Sequence, residues 1–466
     1  MRVFNQYVAV KSILILVLEA LIICFSLIGA TWIRFLYEPV QFGLMVGAPI
    51  FWLRALIVVV AFLVAFYCNK LYDFNALRTR QQDFRQDQLI RVVESIAYAC
   101  FPLALLYYFI PDLMLGRGIA LISIGLVFPL IALGRLAVAS GVMEQRVLIL
   151  GAGELATAVS REFSSRADLH LSVVGFLTGA DRVDASPPPG YKVLGAVEDL
   201  RQVARATQAN RIVVALQERR RVLPVRELVR LRMEGIEVED AQTAMASLSG
   251  RVSLSTIQPS WFVFSDGFRR SEVLFALKRT IDFVMAIVGI ILSMPIMALT
   301  ALAIKLDSEG GVVYRQKRVG LGGRIFEVLK FRSMRTDAER DGPVWASSAD
   351  SRVTRVGAVL RKYRLDELPQ FWNVIRGDMS FVGPRPERPE FVEQLREVIP
   401  YYDERHTVRP GITGWAQVQY EYGASVEAAC RKLEYDLFYL KHMSALFDLR
   451  IIYHTIRTVL SGRGAH

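Results

Sequence analysis

Long apolar segments dominate the N-terminal part of the chain. They lie at roughly 12–35, 48–68, 90–110 and 117–138, and each is close to the ~20 residues that a helix needs to cross a bilayer. This pattern predicts a membrane protein of mixed fold class, whose residues 1–143 form a transmembrane four-helix bundle. Glu19 and Glu94 fall within or near these segments. We assign neither to a functional site, because an interhelical or interfacial role explains them equally well.

The distribution of basic residues predicts how the bundle is oriented. The loop between the second and third segments is crowded with cations: Lys70, Arg78, Arg80, Arg85 and Arg91. The other two loops carry few cations, represented by Arg34 and Arg117. Because loops rich in Lys and Arg stay in the cytoplasm, both ends of the bundle are expected there.

From Arg146 onward the hydrophobic pattern changes to short apolar runs that alternate with amphipathic ones. The run RVLILGAGELATAV reads as a strand, a glycine turn and a helix, and LSVVGFL and RIVVAL read as further buried strands. Helical patterns follow at 197–207 and 225–234. Strands that alternate with helices are typical of a doubly wound parallel sheet, so residues 144–250 are predicted to form a Rossmann-like α/β domain.

Gly151 and Gly153 belong to a GxGxxA pattern at the first turn of this domain. In Rossmann folds such a turn lays a phosphate on a helix N-terminus. The two glycines are weak nucleotide-binding candidates, because Glu154 adds negative charge there and TGADRVDASPPPGYK offers no clear ribose-binding acid. We interpret the domain as a regulatory or dimerising module, which leaves a homodimer open.

After a linker at 251–275, another apolar run continues from Ile281 to about residue 304. Cations flank it on both sides, so both flanks carry the cytoplasmic signature. Pro295 has no N–H for the carbonyl of Ile291, and Ser293 can bond a freed carbonyl. We therefore predict a re-entrant helix at about 281–304, with the membrane break at Ser293 and Pro295. A kinked spanning helix is the alternative.

Composition narrows the range of partners. Hydrophobic residues make up 53% of the 466 residues and the mean hydropathy is +0.32, which indicates a membrane-anchored protein with sizeable aqueous domains. The net charge is +11, but the basic residues lie beside apolar segments and among glycines. Membrane lipid headgroups and phosphorylated substrates are therefore expected as partners, and no nucleic acid. The four cysteines show neither a disulfide framework nor zinc-binding spacing.

An acidic pair, Asp366 and Glu367, follows a basic cluster in RKYRLDELPQFWNVIRGDMSFVGPRP. The stretch closes on a Gly-Pro-Arg-Pro corner that carries Arg385. Adjacent carboxylates flanked by arginines suit chemistry on a phosphate, because one carboxylate can attack or hold a metal while guanidinium groups take up charge. The alternative is a helix cap with an acidic first turn and a nearby proline.

Cations also alternate with apolar residues in VVYRQKRVGLGGRIFEVLKFRSMR. This alternation predicts a hairpin whose cations either remain solvated at an edge or hold a diphosphate or lipid phosphate. Farther on, HTVRPGITGWAQ is predicted to be a turn-rich loop that carries Arg409. The terminal run LEYDLFYLKHMSALFDLRIIYHTIRTVL is predicted to form helices that lie on the membrane surface or pack on the core.

Six of these motifs occur together in a recognisable order. They are KRTIDF, the Ser-Met-Pro break, YRQKRVG, LKFRSM, RLDELPQFWNVIRGDMSFVGPRP and VRPGITGWAQV. The set resembles the bacterial polyprenyl-phosphate sugar-phosphate transferases, which are monotopic phosphoglycosyl transferases that begin exopolysaccharide and O-antigen repeat units. The resemblance covers 276–466 as a mainly α, α+β catalytic domain. The preceding parts resemble the long members, similar to undecaprenyl-phosphate glucose- or galactose-phosphate transferases.

The resemblance implies an activity and a location. A hexose-1-phosphate would pass from a UDP-sugar to a polyprenyl (undecaprenyl) phosphate, with release of UMP and through a covalent aspartyl intermediate. The protein would be a multi-pass protein of the bacterial inner membrane, with its soluble and catalytic domains facing the cytoplasm. A membrane-anchored sensor or scaffold, and a glycosyltransferase that moves the sugar without its phosphate, are the alternatives.

The resemblance also implies roles for individual residues. Asp366 occupies the position of the nucleophile, and Glu367 occupies that of the ligand of a Mg²⁺ cofactor. Four cations match family positions that contact phosphate or nucleotide: Lys330, Arg361, Arg385 and Arg409. The identity of the sugar does not follow from these motifs.

Overall fold

The computed structural model describes residues 2–3, 6–7, 10–69, 71, 81–140, 145–165, 171–179, 191–216, 223–254, 257, 262, 267, 272–335, 352–420, 423 and 425–460. The chain divides into two compact units, an N-terminal unit Met1–Leu248 and a C-terminal unit Ser249–His466. Several predictions fall outside the described residues: the loop cations Lys70, Arg78 and Arg80, most of the linker 251–275, and the segment 180–190 after the second predicted strand.

The N-terminal unit contains apolar helices at the positions that the hydrophobic pattern predicted. A short antiparallel pair, β1 (Arg2–Val3) and β2 (Gln6–Tyr7), comes first. The helices are α1 (Val10–Arg34), α2 (Pro39–Gly47), α3 (Pro49–Cys68), α4 (Gln81–Phe109) and α5 (Arg117–Ser140). The sequence pattern did not predict the short helix α2. Residues of α1, α3, α4 and α5 share one apolar cluster, while large apolar side chains on other faces of these helices stay exposed.

The structure includes five helices long and apolar enough to cross a membrane, within the ranges that it describes. Four are in the N-terminal unit, and the fifth lies at Glu272–Asp307. Apolar faces that no protein covers are stable in lipid and costly in water. The chain is therefore membrane-associated.

The two acidic residues of the apolar segments bind other helices. Glu19 on α1 pairs with Arg135 on α5, at 2.6 Å between Oε1 and Nε, and both side chains are buried. Asn69 donates to Glu94 Oε2 at 3.3 Å and to Ser95 Oγ at 3.0 Å. Because isolated charges are costly inside an apolar bundle, these partners support the interhelical role.

The second part of the N-terminal unit is a parallel α/β domain, as predicted. Its strands are β3 (Gln145–Leu150), β4 (Leu171–Thr178), β5 (Val193–Ala196), β6 (Arg211–Val214) and β7 (Glu237–Asp240), in the order β5-β4-β3-β6-β7. All neighbours are parallel. The helices are α6 (Glu154–Ser165), α7 (Leu200–Ala206), α8 (Val225–Met233) and α9 (Ala241–Ser249).

The central strand explains why the fold of this domain could be predicted from the sequence. Val147 and Ile149 of β3 belong to one core cluster, and Leu148 and Leu150 belong to another. A strand buried on both faces is apolar at every position rather than at alternate ones. The weaker strands β5 and β7, whose residues are mostly half-buried, were not predicted.

The C-terminal unit combines a long helix, a hairpin and a set of short elements. They are α10 (Glu272–Asp307), β8 (Val313–Val319), β9 (Ile325–Phe331), α11 (Arg355–Lys362), α12 (Gln370–Arg376), β10 (Ser380–Val382), α13 (Pro389–Val398), β11 (Gly411–Thr413), α14 (Trp415–Gln419), α15 (Val426–His442) and α16 (Ala445–Leu460). Strands β8 and β9 form the predicted antiparallel hairpin. The predicted turn-rich loop at 406–417 is instead partly ordered, because β11 pairs in parallel with β10 and α14 follows it.

The two terminal helices show one of the two placements that the sequence left open. Tyr439 of α15 and Phe447 and Ile451 of α16 are fully or almost fully buried in one apolar cluster with Trp415. These helices therefore pack on the core of the C-terminal unit.

Helix α10 is helical throughout and continues through Pro295. Ser293 Oγ donates to Gly289 O at 2.6 Å, which is the back-bond expected of a serine beside a proline in an apolar helix. One face of α10 is buried, including Asp282, Ala286 and Ile304, and the other is apolar and exposed. The re-entrant course depends on where the membrane lies along α10, and it stays a prediction.

Candidate active site

Asp366 and Glu367 lie in a single 3-10 turn, Leu365–Glu367, between α11 and α12. Arg364 adopts a left-handed conformation, with φ 57°, just before this turn. Few residues other than glycine adopt this conformation, and it marks strained backbone that often occurs at functional sites. Both carboxylates point inward, with 7% and 8% of each residue exposed.

The helix-cap alternative for this pair is wrong. Helix α12 begins at Gln370 with Pro369 as its N-cap residue, and no side chain caps it. A side-chain cap exists one helix earlier, where Thr354 Oγ1 accepts from Gly357 N at 2.9 Å. The acidic pair is therefore available for other contacts.

Glu367 is surrounded by cations from three different segments. Its Oε1 atom lies 3.0 Å from Arg385 Nη2, 3.4 Å from Arg364 Nη1 and 3.5 Å from Lys330 Nζ. Burial raises the pKa of Glu367, but the charges of Arg385, Lys330 and Arg364 outweigh burial and hold this pKa well below its usual range. Glu367 is thus a firmly ionised carboxylate.

Asp366 has the opposite character. Its Oδ1 atom is buried and, among the described residues, has no hydrogen-bond partner. Burial and the neighbouring charge of Glu367 raise the pKa of Asp366 above its ordinary value, against the lowering effect of Lys330, Arg364 and Arg361. A buried carboxylate oxygen without a partner costs free energy, so in native proteins such an atom commonly serves a reactive or ligand-binding role.

The hairpin supplies Lys330 on its inner face. Lys330 of β9 pairs in register with Tyr314 of β8. Burial lowers the pKa of Lys330, against the carboxylate of Glu367, which raises it. Asn373, which is fully buried, joins β9 to α12, because its Nδ2 donates to Glu327 O at 2.7 Å and its Oδ1 accepts from Leu329 N at 3.0 Å.

The other predicted phosphate-contacting cations divide into two groups. Arg361 is among the groups whose charge acts on Asp366, and its Nε donates to Ser333 Oγ at 3.1 Å. Arg409 is engaged elsewhere, since its Nε donates to Gly377 O at 2.9 Å, just after the end of α12. The structure thus brings Lys330, Arg361 and Arg385 around the acidic pair, and the phosphate-contacting role of Arg409 stays a prediction.

The glycine turn of the α/β domain has a structural explanation. Gly151 N donates to Leu177 O at 2.8 Å, so this N–H is used within the sheet. Its φ is +115°, and an added Cβ would lie 2.6 Å from Ala215 O. Glycine is therefore required by backbone conformation and by the close approach of the β6 end. Gly153 O accepts from Thr157 N at 3.0 Å, and nucleotide binding at both glycines stays a weak prediction.

Two contributors to the site were missed from the sequence. Arg364 belongs to the basic cluster before the acidic pair. Its spacing of three residues from Glu367 was the one sequence feature that indicated a contact between the two side chains. Asn373 stands inside the apolar run FWNVI, where a lone polar residue is expected to bind a buried backbone group.

The donor set of the site fits the predicted Mg²⁺. Within the described ranges, no three or more His, Cys, Asp or Glu side chains come together that could hold a metal ion. Mg²⁺ does not need such a cage, because it binds through one or two carboxylates together with substrate phosphates and water. Glu367, an ionised carboxylate next to Asp366, provides one such ligand.

Comparison with known proteins supports the family resemblance seen in the sequence motifs. The sequence model of the bacterial sugar transferase family matches residues 273–462. A relative from Aeromonas hydrophila, named UDP-N-acetylgalactosamine-undecaprenyl-phosphate N-acetylgalactosaminephosphotransferase, is 44% identical over 240 residues, which are 52% of this chain and 56% of the relative.

Two further relatives match over a longer part of the chain. The undecaprenyl-phosphate glucose phosphotransferase of Komagataeibacter xylinus is 34% identical over 342 residues, which are 69% of this chain and 60% of the relative. The UDP-glucose:undecaprenyl-phosphate glucose-1-phosphate transferase of Xanthomonas campestris pv. campestris is 32% identical over 338 residues, 70% of this chain and 69% of the relative. The matches therefore span between about half and two thirds of these relatives. With this similarity and the matching C-terminal region, the chain belongs to the bacterial sugar transferase family.

Proposed function

We propose that this protein transfers a hexose-1-phosphate from a UDP-sugar to undecaprenyl phosphate and releases UMP. The observation that carries the proposal is the buried Oδ1 of Asp366, which bonds none of the described residues, beside a Glu367 that three cations hold ionised. The names of the relatives support undecaprenyl phosphate as the acceptor. They include both glucose and N-acetylgalactosamine, so the sugar is left open.

In the first half-reaction, Asp366 Oδ1 attacks the phosphorus that bears the sugar. The bond from this phosphorus to the bridging oxygen breaks, the electron pair leaves with UMP, and an aspartyl phosphosugar remains. In the second, an oxygen of undecaprenyl phosphate attacks the same phosphorus and the Asp366 carboxylate departs. A covalent intermediate lets a soluble nucleotide sugar and a bulky lipid use one site in turn.

The surrounding charges support this chemistry. Phosphoryl transfer depends mainly on positioning and on neutralising phosphate charge. Lys330, Arg361 and Arg385 surround the acidic pair and would contact the diphosphate, and Arg409 is proposed as a further contact. Glu367 would hold a Mg²⁺, and the ion would supply further positive charge for the diphosphate.

We also propose that α10 is the re-entrant element. Near its start, Arg279 Nη2 donates to Ile375 O at 2.8 Å, and near its end Ser308 O accepts from Arg332 Nη2 at 2.7 Å. Both ends thus contact the same compact C-terminal unit. A straight helix of 36 residues would be about 54 Å long, which exceeds the bilayer core of about 30 Å. If α10 spanned the bilayer, its two ends would therefore lie on opposite sides of the membrane.

The wider organisation follows from this placement. We propose an inner-membrane protein whose residues 1–143 form the four-helix bundle, whose 144–250 form a regulatory or dimerising domain, and whose 276–466 form the catalytic domain, with 251–275 as the linker. The aqueous parts would face the cytoplasm, where nucleotide sugars are made. A homodimer is a proposal for the assembly.

The test is a panel of UDP-sugars incubated with the protein and undecaprenyl phosphate in detergent, followed by identification of the released nucleotide. We expect UMP, because the phosphate stays with the sugar, and release of UDP would contradict the proposal. Asp366→Asn is expected to abolish release and to leave no radiolabelled phosphosugar on the protein. Glu397→Gln, on the exposed face of α13, is the matched control for the loss of one carboxylate.

A further inference from the structure

The segment Gly383–Glu387, called here the Arg385 corner, lies between β10 and α13 and forms no helix or strand of its own. It is nevertheless bonded at each residue to another element. The bonds are Gly383 N to Thr413 O at 2.9 Å, Gly411 N to Pro384 O at 3.0 Å, Arg405 Nη2 to Arg385 O at 2.9 Å, Arg318 Nη1 to Pro386 O at 3.1 Å and Val319 N to Glu387 O at 3.0 Å. Two of these five bonds come from arginine side chains.

Arg405 is the more deeply buried of the two arginines, with 5% of the residue exposed. Besides its bond to Arg385 O, its Nη1 donates to Tyr402 Oη at 2.7 Å, and its Nη2 lies 2.9 Å from Asp436 Oδ2. Asp436, on α15, is almost fully buried. Buried ion pairs add little net stability compared with apolar side chains of similar volume. The pair is thus better explained by the geometry that it imposes.

Arg318, which lies on the half-buried face of β8, contacts the next residue of the corner. Its Nε and Nη2 donate to Gln316 Oε1 at 3.1 Å and 2.5 Å, which fixes the guanidinium plane. Its Nη1 then reaches Pro386 O, and it also lies 3.6 Å from Glu387 Oε2. The two arginines therefore hold consecutive carbonyl groups of one segment.

We propose that Arg405 and Arg318 are positioning residues, which fix the backbone of the Arg385 corner and so aim the Arg385 guanidinium at Glu367 and at the substrate phosphate. The proposal rests on the proposed function, in which Arg385 contacts that phosphate. Arg385 Nη2 lies only 3.0 Å from Glu367 Oε1, so a small shift of the corner would break this contact. Misplacement of a catalytic group by about 1 Å can cost about 100-fold in rate.

The kinetic test asks whether Arg405 and Arg318 act through Arg385. Arg405→Lys and Arg318→Lys keep the charge but lose the forked geometry. Each is made alone and together with Arg385→Ala, and the rate of UMP release is measured. We expect each lysine variant to lower the rate by about 10- to 100-fold when Arg385 is present, and to add little when Arg385 is alanine. Equal losses in both backgrounds would overturn the proposal.

Two further variants separate positioning from loss of folding. Arg405→Met combined with Asp436→Leu removes the ion pair without leaving an unpaired charge. It is expected to remain folded, which cooperative thermal unfolding would show, and to show the same kinetic loss. Full activity in this variant would also overturn the proposal. Arg211→Lys is the matched control, because Arg211 is a buried arginine paired with Glu239 in the α/β domain. It is expected to release UMP at the unaltered rate.

Hydrogen exchange provides a readout that does not depend on activity. Peptides that cover residues 380–390 are followed by mass spectrometry in the full-length protein. We expect the amides of the Arg385 corner to exchange faster in Arg405→Lys and Arg318→Lys, and at the unaltered rate in Arg211→Lys. Unaltered exchange in the first two variants would refute the positioning role of Arg405 and Arg318. If the wild type released no UMP from any UDP-sugar, the proposed function would fail, and the exchange rates would still test whether the two arginines fix the Arg385 corner.

Discussion

Arg385 donates to Glu367 across 3.0 Å, although eighteen positions separate them in the chain. The bond joins the corner after β10 to the 3-10 turn before α12. Lys330 from the hairpin reaches the same oxygen at 3.5 Å. Glu367 is therefore the point at which three separate parts of the C-terminal unit meet, so its charge contributes to the fold as well as to the proposed chemistry.

The first prediction concerns the pH dependence of stability. The folded-state pKa of Glu367 lies below its ordinary value, so its ionisation stabilises the fold above the unfolded-state pKa of about 4.3. This contribution is lost as pH falls through the folded-state pKa. We expect Glu367→Gln to lower the melting temperature clearly at pH 7 and less at about pH 3. Thermal unfolding followed by circular dichroism measures it.

Glu397→Gln is the control for this experiment, because Glu397 is exposed on α13 and is not among the main groups that shift the pKa of Glu367. It should change the melting temperature little at either pH. If the deficit of Glu367→Gln were the same at both pH values, the contribution of its ionisation would be disproved.

The second prediction concerns the acid limb of activity. As the proposed nucleophile, Asp366 must be ionised, so UMP release should fall as pH drops through its raised pKa. Arg361 lowers this pKa, so Arg361→Gln is expected to shift the acid limb to higher pH. Lys362→Gln removes the neighbouring, exposed cation and should leave the limb in place. The measurement is the initial rate of UMP release as a function of pH, and identical limbs in all three proteins would contradict the assignment.

The third prediction concerns Asn373, which bonds the backbone of β9 at two points. Asn373→Ala leaves Glu327 O and Leu329 N without these partly buried bonds, so we expect a loss of roughly 1–3 kcal/mol in the free energy of unfolding. UMP release should fall as well, since Leu329 adjoins Lys330. Chemical denaturation measures the stability. Asn210→Ala, at an exposed position of the α/β domain, should change it by no more than about 0.5 kcal/mol.

What could be predicted from the sequence was mostly local. The fully apolar strand β3 and the alternating hairpin β8–β9 have periodic patterns that short-range physics determines. Strand β11 has only three residues, which is too short for a periodic signal. Its pairing with β10 depends on Gly383 and Gly411, because an added Cβ would collide with Arg409 O at Gly383 and with Gly383 N at Gly411. Such close approach is not visible in one segment alone.

The site divides in the same way. Asp366, Glu367 and Arg385 were predicted from motifs, because residue type alone indicates their proposed chemistry. The sequence could not predict where a guanidinium points: Arg409 binds a backbone carbonyl after α12, and Arg405, which carried no motif signal, binds the Arg385 corner. Those contacts arise only when segments distant in the chain are packed together.

The last prediction concerns the course of α10 in the membrane. Glu272→Cys and, separately, Gly311→Cys are introduced into a chain whose four native cysteines are replaced. Because both ends of α10 contact the same C-terminal unit, both cysteines should react with a membrane-impermeant maleimide in inverted vesicles and resist it in intact spheroplasts. Tyr37→Cys is the control. It lies between α1 and α2 and is 93% exposed, and it should show the opposite pattern, because the positive-inside bias leaves that loop outside. Labelling of one end of α10 from each side would establish a kinked spanning helix in place of the re-entrant one.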